Sequence, residues 1–303
     1  MSKFKSGFVS LVGRPNAGKS TLLNALVGQK VAIVAAKPQT TRTSIQGVVT
    51  MPEAQIVFVD TPGIHKADSQ LNKRLMNTVR ASLEERDLLL FLVDSTRAFT
   101  VEDRRALDMA TKTGTPVVLV LTKVDLLPDK SRLLPLIEQY KQLHNFVDFV
   151  PVSATKRVGL DELRKAILDR LPEGPAYFPE DYVTDQPERF LAAELVREKV
   201  LQVTRQEVPH SVAVMVDRWE EGPSLTRIYA TIRVERPGQK AIVIGKKGAV
   251  LVKIGTLARV EMEKLFGVKI YLDLHVRVQP GWREEAAFLD ALDWRTMAVK
   301  DDS

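Results

Sequence analysis

The 303-residue chain contains no cysteine. That excludes disulfide staples, thiolate metal sites and cysteine nucleophiles, and it fits a cytoplasmic setting. No run of 18 or more apolar residues is present, so no membrane-spanning helix is expected. Met1–Ser6 carries charge but no apolar stretch ahead of the first strand, so it does not read as a secretory signal. Internal repeats and low-complexity tracts are also missing. What remains is a soluble globular mix, 45% hydrophobic and 27% charged, long enough for two domains of roughly 100–200 residues each.

The net charge of +6 suggests an acidic partner. Its distribution says more. Residues 1–171 carry 25 Lys and Arg against 17 Asp and Glu, a net +8, whereas residues 172–303 carry 19 against 21, a net −2. Within that second part, residues 227–277 hold 11 basic and 4 acidic residues, a net +7. A focused basic stretch is a better nucleic-acid footprint than diffuse charge, although a solvated face would look similar.

The first 171 residues alternate strand and helix patterns. Apolar runs at 8–12, 54–59, 88–93, 117–121 and 146–152 predict strands, with helical patterns at 71–83, 102–111 and 132–143 between them. The runs do not alternate with polar residues, so both sheet faces are expected to be covered. This predicts an α/β domain, mostly parallel, with helices on both faces and ligands at the strand C-terminal ends. Residues 47–51 look like an antiparallel edge strand in a hairpin with the next run. An amphipathic helix over 160–171 closes the domain, which is set at 1–175. Four prolines within 172–187 mark 176–187 as a linker. The remainder, 188–303, reads αββααβ: a helix over about 188–206, strands at 211–219 and 225–235, a short helix, a longer one to about 266, and a strand at 268–278.

The sharpest motif is Gly13-Arg14-Pro15-Asn16-Ala17-Gly18-Lys19-Ser20, which fits the phosphate-binding loop between a strand and the helix opening at Thr21. Gly13 and Gly18 let the backbone wrap so that its N–H groups, Ala17's among them, face a phosphate at a helix N-terminus. Lys19 can reach the β- and γ-phosphates and Ser20 can ligate Mg²⁺. Asp60-Thr61-Pro62-Gly63 ends a strand about 40 residues later. Asp60 can hold Mg²⁺, and the Gly63 N–H can bond a γ-phosphate. Thr122-Lys123-Val124-Asp125 ends the 117–121 strand. Asp125 would accept the guanine N1–H and exocyclic amine, a pair adenine lacks, with Lys123 laid over the base. Thr122 stands where Asn is commoner, which puts the tie to the phosphate loop in doubt. Ser153-Ala154 offers a backbone N–H for guanine O6. Thr40 or Thr41, before Arg42, would coordinate Mg²⁺ when a γ-phosphate is present, with Thr41 preferred.

Five motifs in this order resemble a small GTPase domain of the translation-factor-related class, over residues 7–171. Ile64 follows Gly63 where Ras-like enzymes place a water-orienting Gln, so slow intrinsic turnover is expected. Asn16 resembles a K⁺ ligand of several such GTPases, which would supply charge where an arginine finger sits; its bland alternative is a loop-structuring Asn. Nothing singles out Arg14 or His65 as catalytic. Downstream, Ile244-Gly245-Lys246-Lys247-Gly248 between two helices resembles the G-x-x-G loop of a KH domain, with Lys246 and Lys247 meeting phosphates and Ile242, Ile244, Val252 and Ile270 as candidates for a base groove.

A P-loop GTPase joined to one C-terminal KH domain resembles the Era family across nearly the whole chain, and 38–42 and 60–65 also fit that family's pattern. The resemblance implies GTP, GDP and Mg²⁺ as ligands, K⁺ or RNA as stimulants, and the 3′ end of small-subunit ribosomal RNA as partner. It also implies action as a monomer in small-subunit assembly in the cytoplasm. Two alternatives stand beside this switch: an RNA-binding module with a nearly inactive GTPase, motivated by Ile64, and a peripheral membrane GTPase using the basic surface.

Overall fold

The computed structural model describes residues 4–35, 37, 40–64, 69–204 and 212–295. These form two compact units: one from 4–32, 41–64 and 74–185, the other from the described residues between 33 and 40, 69–73 and 186–295. Among the described residues no helix is long and apolar enough to cross a membrane.

In the first unit the order is β1 (Lys5–Val12), α1 (Lys19–Val27), β2 (Ile45–Met51), β3 (Ala54–Asp60), α2 (Gln70–Ala81), β4 (Leu88–Asp94), α3 (Val101–Thr111), β5 (Val117–Thr122), α4 (Leu133–Lys141), β6 (Asp148–Pro151) and α5 (Leu160–Leu168). The six strands lie in the order β2-β3-β1-β4-β5-β6. Only β2 runs antiparallel, pairing Ile45 with Asp60 and Met51 with Ala54, so the expected edge hairpin is present. The continuous apolar runs follow from the layers. Leu88, Leu90 and Leu92 of β4 enter a core with α1 and α5, while Leu89, Phe91 and Val93 enter one with α2, α3 and α4. Successive side chains point to opposite faces, so a strand covered on both sides must be apolar at every position. Each such buried side chain contributes about 1.5–3 kcal/mol.

The segment read as a linker differs from a free tether. Up to residue 185 it lies against the sheet edge: Val48 N–H donates to Val183 O at 2.8 Å and Thr184 Oγ1 donates to Gln46 O at 2.7 Å. The buried Gln55 side chain accepts from the N–H groups of Tyr177 and Phe178 at 2.7 and 2.9 Å and donates to Phe178 O at 2.9 Å. Unpaired strand-edge groups are costly or sticky, and this strap satisfies them. Its prolines suit such an extended strap.

The second unit runs α6 (Glu188–Val203), β7 (Val212–Glu220), β8 (Leu225–Val234), α7 (Pro237–Ile244), α8 (Ala249–Phe266), β9 (Lys269–Val278) and a short α9 (Ala286–Leu292). β7 is antiparallel and β9 parallel to β8, giving the expected αββααβ order. Ile228, Ala230, Ile232 and Val234 face Ile254, Ala258 and Met262, a four-residue spacing that makes one stripe on α8. Ile270 is only 3% exposed and belongs to this core, so it does not line a groove. The expected ends of the first helix and the next strand, along with Pro38, Gln39 and His65, fall outside the described residues.

Candidate functional site

Parallel strands deliver their C-terminal ends to one edge of the first sheet. Leu11 of β1 pairs with Asp60 of β3, Asp94 of β4 with Thr122 of β5, and Leu121 with Pro151 of β6. The loops carrying the motifs therefore follow adjacent strands.

Three oxygens converge at the phosphate loop. Ser20 Oγ donates to Asp60 Oδ2 at 2.6 Å and lies 2.8 Å from Thr41 Oγ1, which is itself 3.2 Å from Asp60 Oδ2. Asp60 is fully buried, and its Oδ1 has no hydrogen-bond partner among the described residues. Burial pushes this carboxyl above its ordinary range, against the pull of Lys19 and the Ser20 and Thr41 hydroxyls. A buried carboxylate with a spare oxygen beside two hydroxyls is a hard-donor set, which fits Mg²⁺. Thr40 is not part of it, because its hydroxyl donates to Lys37 O at 2.7 Å.

Lys19 Nζ donates to the carbonyls of Gly13 at 3.1 Å and Arg14 at 3.0 Å. Burial lowers its pKa to about 8, partly opposed by Asp60. A phosphate entering the loop would replace these carbonyls. At Gly63 a side chain is sterically forbidden, since a Cβ there would stand 2.9 Å from Pro15 Cα. Asn16 adopts φ 62°, a left-handed conformation, with its side chain exposed at the loop tip. Ile64 is buried in the core with Met76 and Val79, so it reaches no water at the site.

Thr122 corrects the sequence expectation. Its hydroxyl lies 2.8 Å from Ala17 O and 3.0 Å from Val93 O, so the shorter side chain still ties β5 to the phosphate loop. Lys123 Nζ donates to Asn16 O at 2.8 Å and Asp94 Oδ2 at 2.7 Å. Burial would raise Asp94, but the Lys123 ammonium and Thr96 donors hold it below its usual range. Sequence reasoning misses Asp94; its position at the end of β4, beside Thr122, is the available signal. Asp125 is exposed, touched at 3.5 Å by Thr155 Oγ1. Ser153 N–H is committed to Val158 O at 2.9 Å, which leaves Ala154 to offer an N–H to a base.

Arg14 is a second residue whose role the sequence hides. Its guanidinium turns away from the loop mouth to Asp103 of α3, Nε to Oδ1 3.3 Å, both side chains almost fully buried. Asp103 is fixed in turn by a capping box with Thr100.

In the second unit, Gly245 ends α7 with φ 72°, and a Cβ there would fall 2.4 Å from Val250 Cγ2. Lys247 is also left-handed, and Lys246 and Lys247 are exposed at the tip before Gly248 caps α8. Ile244 is half-buried against the core. Val252, in the first turn of α8 beside the loop, is exposed.

Together the two units define a Mg²⁺-dependent GTPase with a KH domain. Residues 8–123 match the family model for a 50S ribosome-binding GTPase and residues 207–283 that for a KH domain. GTPase Era of Geobacter metallireducens is 49% identical over 96% of this chain and 98% of its own length. That of Staphylococcus haemolyticus is 45% identical over 95% and 97%. Among solved structures, Aquifex aeolicus Era bound to GDP and AlF₄⁻ superposes with a TM-score of 0.93 at 42% identity, covering 96% of this chain and 99% of that one. The structure of Era with MgGDPNP and nucleotides 1506–1542 of 16S ribosomal RNA gives the same values. The chain belongs to the Era family of GTPases.

Proposed function

We propose that this protein is a GTP-hydrolysing switch that binds the 3′ end of small-subunit ribosomal RNA and acts in small-subunit assembly. The observation that carries the switch is the convergence of Ser20, Thr41 and Asp60. In this reading those three residues hold Mg²⁺, which supplies positive charge against the phosphate oxygens. The N–H groups of Gly13, Asn16, Ala17, Gly18 and Thr21 cradle the phosphates, while Lys19 and the Gly63 N–H grip the terminal ones. Thr122 and Lys123 fix the phosphate loop to the base site, and Asp125 and the Ala154 N–H select guanine, with Ser153 holding that loop through Val158 and Lys156. Ile244, Gly245, Lys246, Lys247 and Gly248 receive the RNA, the two lysines meeting its phosphates. A related protein crystallised with a 16S ribosomal RNA fragment supports that partner.

Hydrolysis is direct attack by water. With Ile64 aliphatic and packed in the core, it cannot orient water, so intrinsic turnover is slow and is raised by K⁺ at Asn16 or by RNA. Comparing rates in K⁺ and Na⁺, with and without RNA, tests this; an unresponsive near-zero rate favours a plain binding module. The defining experiment is crosslinking to RNA with GTP or GDP bound, followed by RNA sequencing. Crosslinks are expected at the 16S 3′ end, and Lys246→Asp with Lys247→Asp should remove them while GTP binding holds. Crosslinks elsewhere would overturn the assignment. Liposome cosedimentation at physiological salt measures membrane association and separates that alternative from the RNA-binding switch.

A further inference from the structure

Asp94 lies at the same sheet edge as Asp60 and Thr122, yet nothing in the chemistry of hydrolysis gives it a task. It ends β4 in register with Thr122 of β5, and its side chain is 3% exposed. Burial alone would raise its pKa, but the Lys123 and Thr96 donors outweigh that, so the carboxyl is charged. A buried charge is tolerated only when paired, and here both oxygens are engaged. Oδ1 accepts from the Thr96 N–H at 3.0 Å and hydroxyl at 2.6 Å, and Oδ2 accepts from Lys123 Nζ at 2.7 Å. Arg97 Nε stands 3.8 Å from Oδ2 on a side chain that is 65% exposed. Asp60 differs, because its Oδ1 has no hydrogen-bond partner among the described residues. Asp60 is arranged to hold something further, whereas Asp94 is arranged to hold Lys123.

Lys123 needs such a hold. Its backbone is left-handed at φ 60°, a conformation uncommon for a residue with a side chain. Residues of that kind persist where their surroundings over-determine them. Lys123 stands directly before the single turn Val124–Leu126, which carries Asp125. Its four-carbon stem is flexible and its side chain 32% exposed, so the stem itself selects no one rotamer. The far end does. Nζ is fixed between Asn16 O of the phosphate loop at 2.8 Å and Asp94 Oδ2 at 2.7 Å. The first acceptor is a neutral carbonyl and the second a buried charge, and bonds between two ionised groups are the stronger kind. The stem therefore runs on a fixed course from the end of β5 to the phosphate loop.

We propose that Asp94 is a positioning residue for the guanine nucleotide, ordering Lys123 before the nucleotide arrives. It touches neither phosphate nor base, and acts only through Lys123. The proposal rests on the reading of Lys123 as the residue laid over the base. A side chain ordered in advance spares the complex the cost of ordering it, which for one long side chain is worth roughly 2- to 12-fold in affinity. Affinity differences between closely related complexes lie mostly in the rate of dissociation, so the effect belongs in nucleotide release. GTP that is already bound meets the same Lys19, Ser20, Thr41 and Asp60, so its hydrolysis keeps its rate.

Asp94→Asn isolates the contact, because its amide oxygen can keep both Thr96 bonds while its amino group faces the Lys123 ammonium. Stopped-flow release of fluorescent GDP from the full chain is measured for wild type, Asp94→Asn, Lys123→Met and the double variant, beside single-turnover GTP hydrolysis. Asp94→Asn should release GDP roughly 2- to 12-fold faster with the hydrolysis step unchanged. The double variant should release GDP no faster than Lys123→Met alone, since a residue that acts through another is silent once that other is gone. Unchanged release in Asp94→Asn overturns the proposal. So does an effect that adds fully to that of Lys123→Met, which a merely structural role would give. Thr96→Val strips only an exposed hydroxyl from Asp94, and equally fast release there would trace the effect to the turn and overturn the proposal too. If Asp94→Asn melts early, Asp94→Ser, smaller and neutral, must show the same pattern. Unchanged release in Lys123→Met overturns the base-site reading of Lys123 instead.

Discussion

The Arg14–Asp103 pair gives a prediction whose size follows from its geometry. Arg14 lies in the phosphate loop and its carbonyl accepts from Lys19 at 3.0 Å, while its guanidinium is held by Asp103 at 3.3 Å. The side chains are 8% and 2% exposed. Asp103 also caps its own helix, since its Oδ2 accepts from the Thr100 N–H at 2.9 Å and hydroxyl at 2.7 Å at the start of α3. Asp103→Asn separates the two roles, because an amide oxygen can keep the cap while the charge is lost. Removing one partner of a buried pair costs about 3–5 kcal/mol, because the other charge stays buried. For a domain of this size that lowers the thermal midpoint by roughly 6–20 °C. Asp103→Ala also loses the cap and should cost about 0.5–2 kcal/mol more. Arg14→Met with Asp103→Leu leaves no orphan charge and should recover most of the stability. Urea and thermal denaturation, run beside fluorescent-GDP binding, read all four proteins. If Asp103→Asn costs less than about 1 kcal/mol, far below the loss expected for a broken buried pair, the pair is not what fixes Arg14. If the double variant recovers stability and full nucleotide affinity, the pair is a staple and does not position the loop.

Thr122→Val keeps the shape of the side chain but strips its donor from Ala17 O and Val93 O, and should cost about 1–3 kcal/mol and weaken nucleotide binding; an unchanged urea midpoint would contradict this. Tyr140 is buried and its hydroxyl has no hydrogen-bond partner among the described residues, so Tyr140→Phe should be neutral or stabilising in the same assay. Lys19 must be protonated to bind phosphate, and its free-site pKa is about 8, so nucleotide affinity should fall roughly tenfold between pH 7.5 and 9. Without ligand the sign for folding is the opposite: between about 8 and 10.5 the unfolded chain binds the extra proton, so Lys19 makes stability rise with pH there. Flat nucleotide affinity over that range would remove Lys19 from the contact. Asp125→Asn, at an exposed position that carries no fold burden, should abolish preference for GTP over ATP without changing the thermal midpoint.

The contrast between Asp60 and Asp94 shows what a sequence can carry. Asp60 is readable because its partners are ordered along the chain at spacings that the phosphate chemistry imposes, and the strand before it announces a C-terminal edge. Asp94 ends an equally clear strand, yet its partner Lys123 lies 29 residues away and meets it only because β4 and β5 are neighbours in register. The same holds for Arg14 and Asp103, each surrounded by residues with stronger local explanations. The fold classes of both units are legible because apolar periodicity is a local signal: every position filled on a doubly covered strand, every fourth on α8. Register across strands, and the choice of partner for a buried charge, are long-range facts. The buried charges of α6 are the extreme case. Glu194 to Lys199 is written like the solvated face of a helix, with four charges in six residues. Burial reverses that meaning, because in water such charges cost nothing to leave alone, whereas inside a domain each must specify where its partner stands.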